Sequence, residues 1–148
     1  MWDACGVASG DGPLSTSTET LLDLIPFAGT IGIELQEATP DLVRGRLEWT
    51  PQRTTTADVM HGGAIMALAD TCGGVCAYLN IPDGAQGTAT VESKTNFLRG
   101  ITGGAATATT RPLHKGRTLI VLETEITRDD GKLAAKVTQT QTFLYPRA

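Results

Sequence analysis

One stretch of eleven residues, His61-Gly62-Gly63-Ala64-Ile65-Met66-Ala67-Leu68-Ala69-Asp70-Thr71, holds the side chains best suited to chemistry. Two adjacent glycines stand where a helix would begin. Their missing side chains leave the first backbone amides open to an incoming oxygen. Unpaired donors at the positive end of a helix can polarise a carbonyl, and one such donor is worth roughly 3 kcal/mol in acyl-transfer enzymes. Asp70 is the acid that could serve as base or nucleophile. It lies about two turns further along, a rise of roughly 10 Å, too far to act on a carbonyl held at its own helix start. A site shared between two chains removes that difficulty. Taken singly, each feature has an ordinary reading. His-Gly-Gly can be a turn before a helix, His61 a structural histidine, and Asp70 an acid bonded to backbone amides.

The element that must position these groups is a helix. Ala64 to Leu79 contains no proline, and Ile65, Leu68, Cys72, Val75, Cys76 and Leu79 recur at spacings of three and four. At about 100° per residue, Asp70 falls almost opposite this stripe, among Met66, Ala67, Gly74 and Ala77, so the acid is expected to point away from the sheet. A solvated helix back usually carries several charges, whereas this one has a lone acid among small residues. Gly73 and Gly74, each costing roughly 1 kcal/mol in a helix interior, predict close approach of another backbone or a ligand.

Alternating apolar residues predict two strands before this helix, Ile31 to Leu35 and Val43 to Trp49, and four after it. The four are Thr88 to Leu98, Gly104 to Leu113, Thr118 to Arg128 and Lys132 to Leu144, and Asp129-Asp130-Gly131 marks a hairpin between the last two. A short helix is expected from Glu19 to Ile25, with Thr18 as its cap. Residues 1–17 are expected to be a disordered lead-in, and residues 18–148 a single domain. The order strand-strand, helix, four strands gives an α+β class, an antiparallel sheet against one long helix.

With 148 residues, a formal net charge of −4 and a pI near 5.1, the chain is sized for one domain and lacks the basic field that nucleic-acid binding requires. No apolar run is long enough for a membrane span, and the three cysteines suggest no disulfide framework, so the cytoplasm is the expected compartment. Cys72 and Cys76 are four apart, but neither His61 nor His114 lies at a ligand spacing from them; core packing is expected, with no metal or cofactor.

The motif of His61-Gly62-Gly63 with Ala69-Asp70-Thr71 resembles the hotdog-fold acyl-CoA thioesterases of the phenylacetic-acid-degradation (PaaI-like) type. The resemblance continues through Asn96-Phe97-Leu98-Arg99 and Leu113-His114-Lys115-Gly116-Arg117, and spans roughly Ile25 to Tyr145. It implies an antiparallel sheet of five or six strands wrapped around a long central helix, in homodimers or homotetramers with active sites at the subunit interface. It implies that Asp70 acts as general base or as nucleophile on an acyl-CoA, aryl or medium-chain. The amide of Gly62, with Gly63 as a second candidate, would hold the carbonyl oxygen, and His61 would orient the thioester or its loop. For coenzyme A, Arg99, Lys115, Gly116 and Arg117 are the candidate contacts, with Asn96 and Thr118 beside them; Thr71 could bond a ligand, although a bond back to its own helix is favoured. Two positions depart from the family pattern: Thr55 stands where many relatives have Asn or Gln, and Gly74 where some have Ser or Thr. Two other readings compete. An acyl-CoA-binding module without chemistry would keep the pocket, and a hotdog hydratase would place its His and acid differently.

Overall fold

The computed structural model describes residues 17–146. Two short helices come first, α1 (Thr18–Asp23) and α2 (Pro26–Thr30). The cap of α1 is Ser17, not Thr18: the Ser17 hydroxyl accepts from the Thr20 N–H at 3.2 Å. The single helix expected to run to Ile25 stops at Asp23, and Pro26 opens α2 at its first position, where a missing N–H costs nothing. The rest of the expected lead-in, residues 1–16, lies outside the described residues.

Strands β1 (Ile33–Ala38) and β2 (Val43–Glu48) form a hairpin, and two single 3₁₀ turns, Pro51–Arg53 and Thr56–Asp58, lead to helix α3 (Gly62–Tyr78). Strands β3 (Gly87–Phe97), β4 (Ala105–Lys115), β5 (Leu119–Arg128) and β6 (Leu133–Leu144) follow. The sheet order is β1-β2-β4-β5-β6-β3, with every neighbouring pair antiparallel. The chain therefore leaves β2, passes through α3, and enters the sheet again at its opposite edge as β3. Gly131 closes the β5–β6 hairpin with a φ of 77°, a conformation glycine adopts without steric penalty.

The core is the apolar stripe of α3 laid on the inner face of the sheet. Ile65, Leu68, Cys72, Val75 and Cys76 are buried against Leu47, Ile120, Leu122, Ile126 and Val137. Fully burying a side chain such as Leu68 or Val75 contributes about 1.5–3 kcal/mol. Contact is close at β2, where a Cβ on Gly45 would sit 2.5 Å from the Cys72 sulfur and 3.2 Å from Leu68 Cδ1. Only glycine lets helix and strand approach this closely. Burial also pushes the Cys72 thiol up to about 12 and the Cys76 thiol up to about 11, so both remain protonated hydrophobic groups. Asn80 ends α3 by donating to the carbonyls of Cys76 (2.8 Å) and Pro40 (2.7 Å). Among the described residues no helix is long and apolar enough to cross a membrane.

Candidate active site

The segment before α3 is fixed to the sheet at several points. The Trp49 indole N–H donates to the Asp58 carbonyl (2.9 Å), the His61 N–H to the Arg53 carbonyl (2.8 Å), and the Arg53 guanidinium to the Glu48 carbonyl (2.8 Å). His61 thereby becomes the N-cap of α3, and its Nδ1 accepts from the Gly63 N–H at 2.9 Å. That bond requires a lone pair on Nδ1, which puts the proton of the neutral ring on Nε2. The Gly63 amide is consequently used by the cap and does not serve as a second carbonyl donor. Among the described residues, the Gly62 N–H has no partner. A Cβ at Gly62 would stand 3.1 Å from the Phe97 ring, so the open amide lies beside the end of β3.

Asp70 is exposed, as the helix count predicts, but it does not point away from the sheet. It leans over the β6–β3 edge, where its Oδ1 accepts from Gln139 Nε2 (2.6 Å) and Thr90 Oγ1 (3.0 Å). No described group donates to its other oxygen, Oδ2. The 100° count places a side chain around the axis but is blind to the sheet, which curls around the flank of α3. Ala77, assigned to the same face as Asp70, is instead fully buried, because that curl covers the last turn of the helix.

The two glycines of α3 also separate. At Gly73 the close approach is made by a side chain: the Gln139 amide crosses it in contact, on its way to Asp70. Gly74 has nothing within 4 Å of an added Cβ and faces an open recess of about 240 Å³ lined by Ile25, Phe27, Ala67, Asp70, Gly74 and Thr90. Thr71 lines the same recess, and its hydroxyl makes no bond back to the helix among the described residues. A second recess of about 310 Å³, bordered by His61, Gly63, Gln52 and Arg53, shares Phe27 and Ala67 with the first. The start of α3 and the acid thus open onto neighbouring hollows along one flank of the helix.

The candidate coenzyme A contacts do not gather in one place. Asn96 and Arg99 stand at the end of β3 beside the start of α3, and Arg99 donates to the Leu133 carbonyl at 2.8 Å. Lys115, Gly116, Arg117 and Thr118 form the β4–β5 turn at the other end of the sheet. There Lys115 pairs with Asp41 at 2.7 Å, and the Tyr145 hydroxyl donates to the Arg117 carbonyl. Register sets Lys115 level with Thr90, six residues from Asn96 along β3 or roughly 20 Å, so one chain cannot bring both groups to one phosphate. Sequence reasoning missed Thr90, Gln139 and Gln141. For the two glutamines the signal was legible: they occupy inward positions of β6 on the same face as Val137 and Phe143, where apolar residues are expected, whereas Thr90 sits on β3 with nothing in the sequence to mark it.

The family profile of the thioesterase superfamily matches residues 57–135, more than half of the chain and including α3 and strands β3, β4 and β5. The chain belongs to the thioesterase superfamily. It is 28% identical over 126 residues, 84% of this chain and 90% of the other, to a Mycobacterium tuberculosis protein that bears the name of an esterase. The solved structure of that protein matches with a TM-score of 0.79 at 27% identity, covering 84% of this chain and 100% of that one. A proofreading thioesterase of Cronobacter turicensis is 29% identical over 118 residues, 80% of this chain and 81% of its own. The E. coli PaaI protein of the phenylacetic acid degradation operon shares the fold, with a TM-score of 0.76 at 21% identity over 85% of this chain and 89% of that one. The superfamily member described here is accordingly a thioester hydrolase on a hotdog fold, with six strands around α3.

Proposed function

We propose that residues 18–148 form one catalytic domain that hydrolyses an acyl-coenzyme A, aryl or medium-chain, to the free acid and coenzyme A. Asp70 is the catalytic carboxylate. The observation that supports this most is its asymmetry: Oδ1 is held by two donors from the sheet, while Oδ2 has no partner among the described residues, and Asp70 lines an open recess. As general base, Asp70 takes a proton from water as the water oxygen bonds to the thioester carbon. As nucleophile, Asp70 attacks that carbon itself, and water then cleaves the resulting anhydride. In both routes the carbonyl oxygen gains negative charge, which an N–H donor at the positive end of a helix stabilises. Collapse breaks the carbon–sulfur bond, and the thiolate of coenzyme A takes up a proton.

The donor is the Gly62 amide of a second copy, since the two groups on one helix lie roughly 10 Å apart along its axis. His61 fixes that amide's direction by capping the same turn through Gly63. Asn96 and Arg99 stand at the Gly62 end and serve the phosphates from there, while Lys115, Gly116, Arg117 and Thr118 reach a site only from another copy. The working form is a homodimer or homotetramer.

A mixing experiment tests the shared site. Asp70→Asn and Gly62→Pro chains are each expected to be inactive as homodimers. Refolded together at equal amounts, half of the dimers are mixed and each has one intact site, so about a quarter of wild-type activity is expected. Activity no higher than the sum of the two separate preparations would overturn the shared site.

A further inference from the structure

Gln139 and Gln141 are turned into the core by β6, 0% and 2% exposed, and nothing in the chemistry above requires them. A buried amide is costly unless its hydrogen bonds are made, so their bonds are informative. The Thr88 hydroxyl donates to Gln141 Oε1 at 3.1 Å, and Gln141 Nε2 donates to Thr90 Oγ1 at 2.8 Å. With Gln141 donating to the Thr90 oxygen, the single Thr90 hydroxyl proton is directed at Asp70 Oδ1, 3.0 Å away. Gln139 Nε2 adds a second donor to the same oxygen at 2.6 Å. Its own Oε1 is buried without a partner, and turning the amide over would put that oxygen against the carboxylate. Gly73 leaves the space through which Gln139 reaches the helix.

We propose that Gln139 and Thr90 are positioning residues for Asp70: by holding Oδ1 from two directions they fix the carboxylate plane, so that Oδ2 alone meets the reacting water or carbonyl. Gln141 sets the direction of the Thr90 proton. The inference rests on the reading of Asp70 as the catalytic carboxylate. Small errors in the placement of a reacting group cost large factors in rate while leaving substrate binding intact, so the effect belongs in kcat.

The test uses full-length protein and thiol release from benzoyl-CoA and hexanoyl-CoA. Thr90→Val removes the hydroxyl at constant shape on an exposed position, Thr90→Ser returns it, and Gln139→Met removes the amide donor at similar length. We expect Thr90→Val and Gln139→Met each to lower kcat about tenfold with KM within twofold, and Thr90→Ser to regain most of the loss. Combined with Asp70→Asn, neither substitution should lower kcat further, because nothing remains to be positioned. Thermal melts of each variant give the folded fraction by which rates are divided, and Thr90→Val keeps the test valid where Gln139→Met does not fold. Full kcat in Thr90→Val, or a further tenfold loss in the Asp70→Asn background, would overturn the positioning role. If instead Asp70→Asn alone keeps wild-type turnover, the reading of Asp70 fails, which is a separate result.

Discussion

Adjacent glycines in the middle of α3 should respond to the same substitution with opposite sign. Alanine at an interior helix position gains about 1 kcal/mol over glycine from propensity alone. At Gly74 no atom lies within 4 Å of the new methyl, so that gain is expected in full, a rise in Tm of about 2–4 °C for a chain of this size. At Gly73 the new methyl meets the Gln139 amide, which is fully buried and tied to Asp70. Pushing it aside costs a hydrogen bond to a charged group, about 1.5–2 kcal/mol at this exposed carboxylate, and about 1 kcal/mol of crowding. Against the propensity gain, Gly73→Ala is left about 1.5–2 kcal/mol less stable, a fall of about 3–8 °C. Differential scanning calorimetry of the two variants beside the wild type reads both signs. A Gly73→Ala protein that melts at or above the wild type, with full thiol release, would refute the argument that Gln139 needs this gap.

Gly45→Ala drives a methyl into the Cys72 sulfur and should cost about 1–3 kcal/mol, read as a lower urea midpoint; an unchanged midpoint would contradict the tight helix-to-β2 contact. His61→Ala removes the cap of α3 and should cost about 1 kcal/mol, whereas His61→Asn, a strong capping residue, should restore most of it; equal melting of the two variants would count against the Nδ1 cap. The Cys72 thiol, pushed up to about 12 from its ordinary 9.0, gives an alkaline prediction. Above pH 9 the unfolded chain releases this proton while the folded chain keeps it, so the contribution is complete below pH 9 and declines as pH rises. About 1.4 kcal/mol should be gone by pH 10. Urea titrations at pH 8 and pH 10 measure the decline, and Cys72→Ala should remove about half of it, the Cys76 thiol supplying the rest; an identical slope in the variant would contradict the burial argument.

The elements were legible because their periods were clean. The three-and-four stripe from Ile65 to Leu79 and the alternation in the last four strands leave few other arrangements, and Asp129-Asp130-Gly131 marks its hairpin by turn chemistry alone. What failed were statements about what a helix face meets. Periodicity gives an angle around the axis, and the angle of Asp70 was right, but the curl of the sheet decides whether that angle faces solvent or a strand. Ala77 was misplaced and the partners of Asp70 were missed for that reason. The basic candidates were read as one group because they share a chemistry; strand register, which sequence spacing does not encode, sends Arg99 and Lys115 to opposite ends. Gly63 was assigned an open amide because a histidine cap is rarer than Ser, Thr, Asp or Asn in that role.

The proposed chemistry turns on the carboxylate of Asp70. Thiol release from benzoyl-CoA and hexanoyl-CoA, measured for the wild type and Asp70→Asn at matched folded concentration, is expected to show turnover that falls on the order of a hundredfold or more in the variant, with its melting temperature preserved. Wild-type turnover in a folded Asp70→Asn protein would contradict the account.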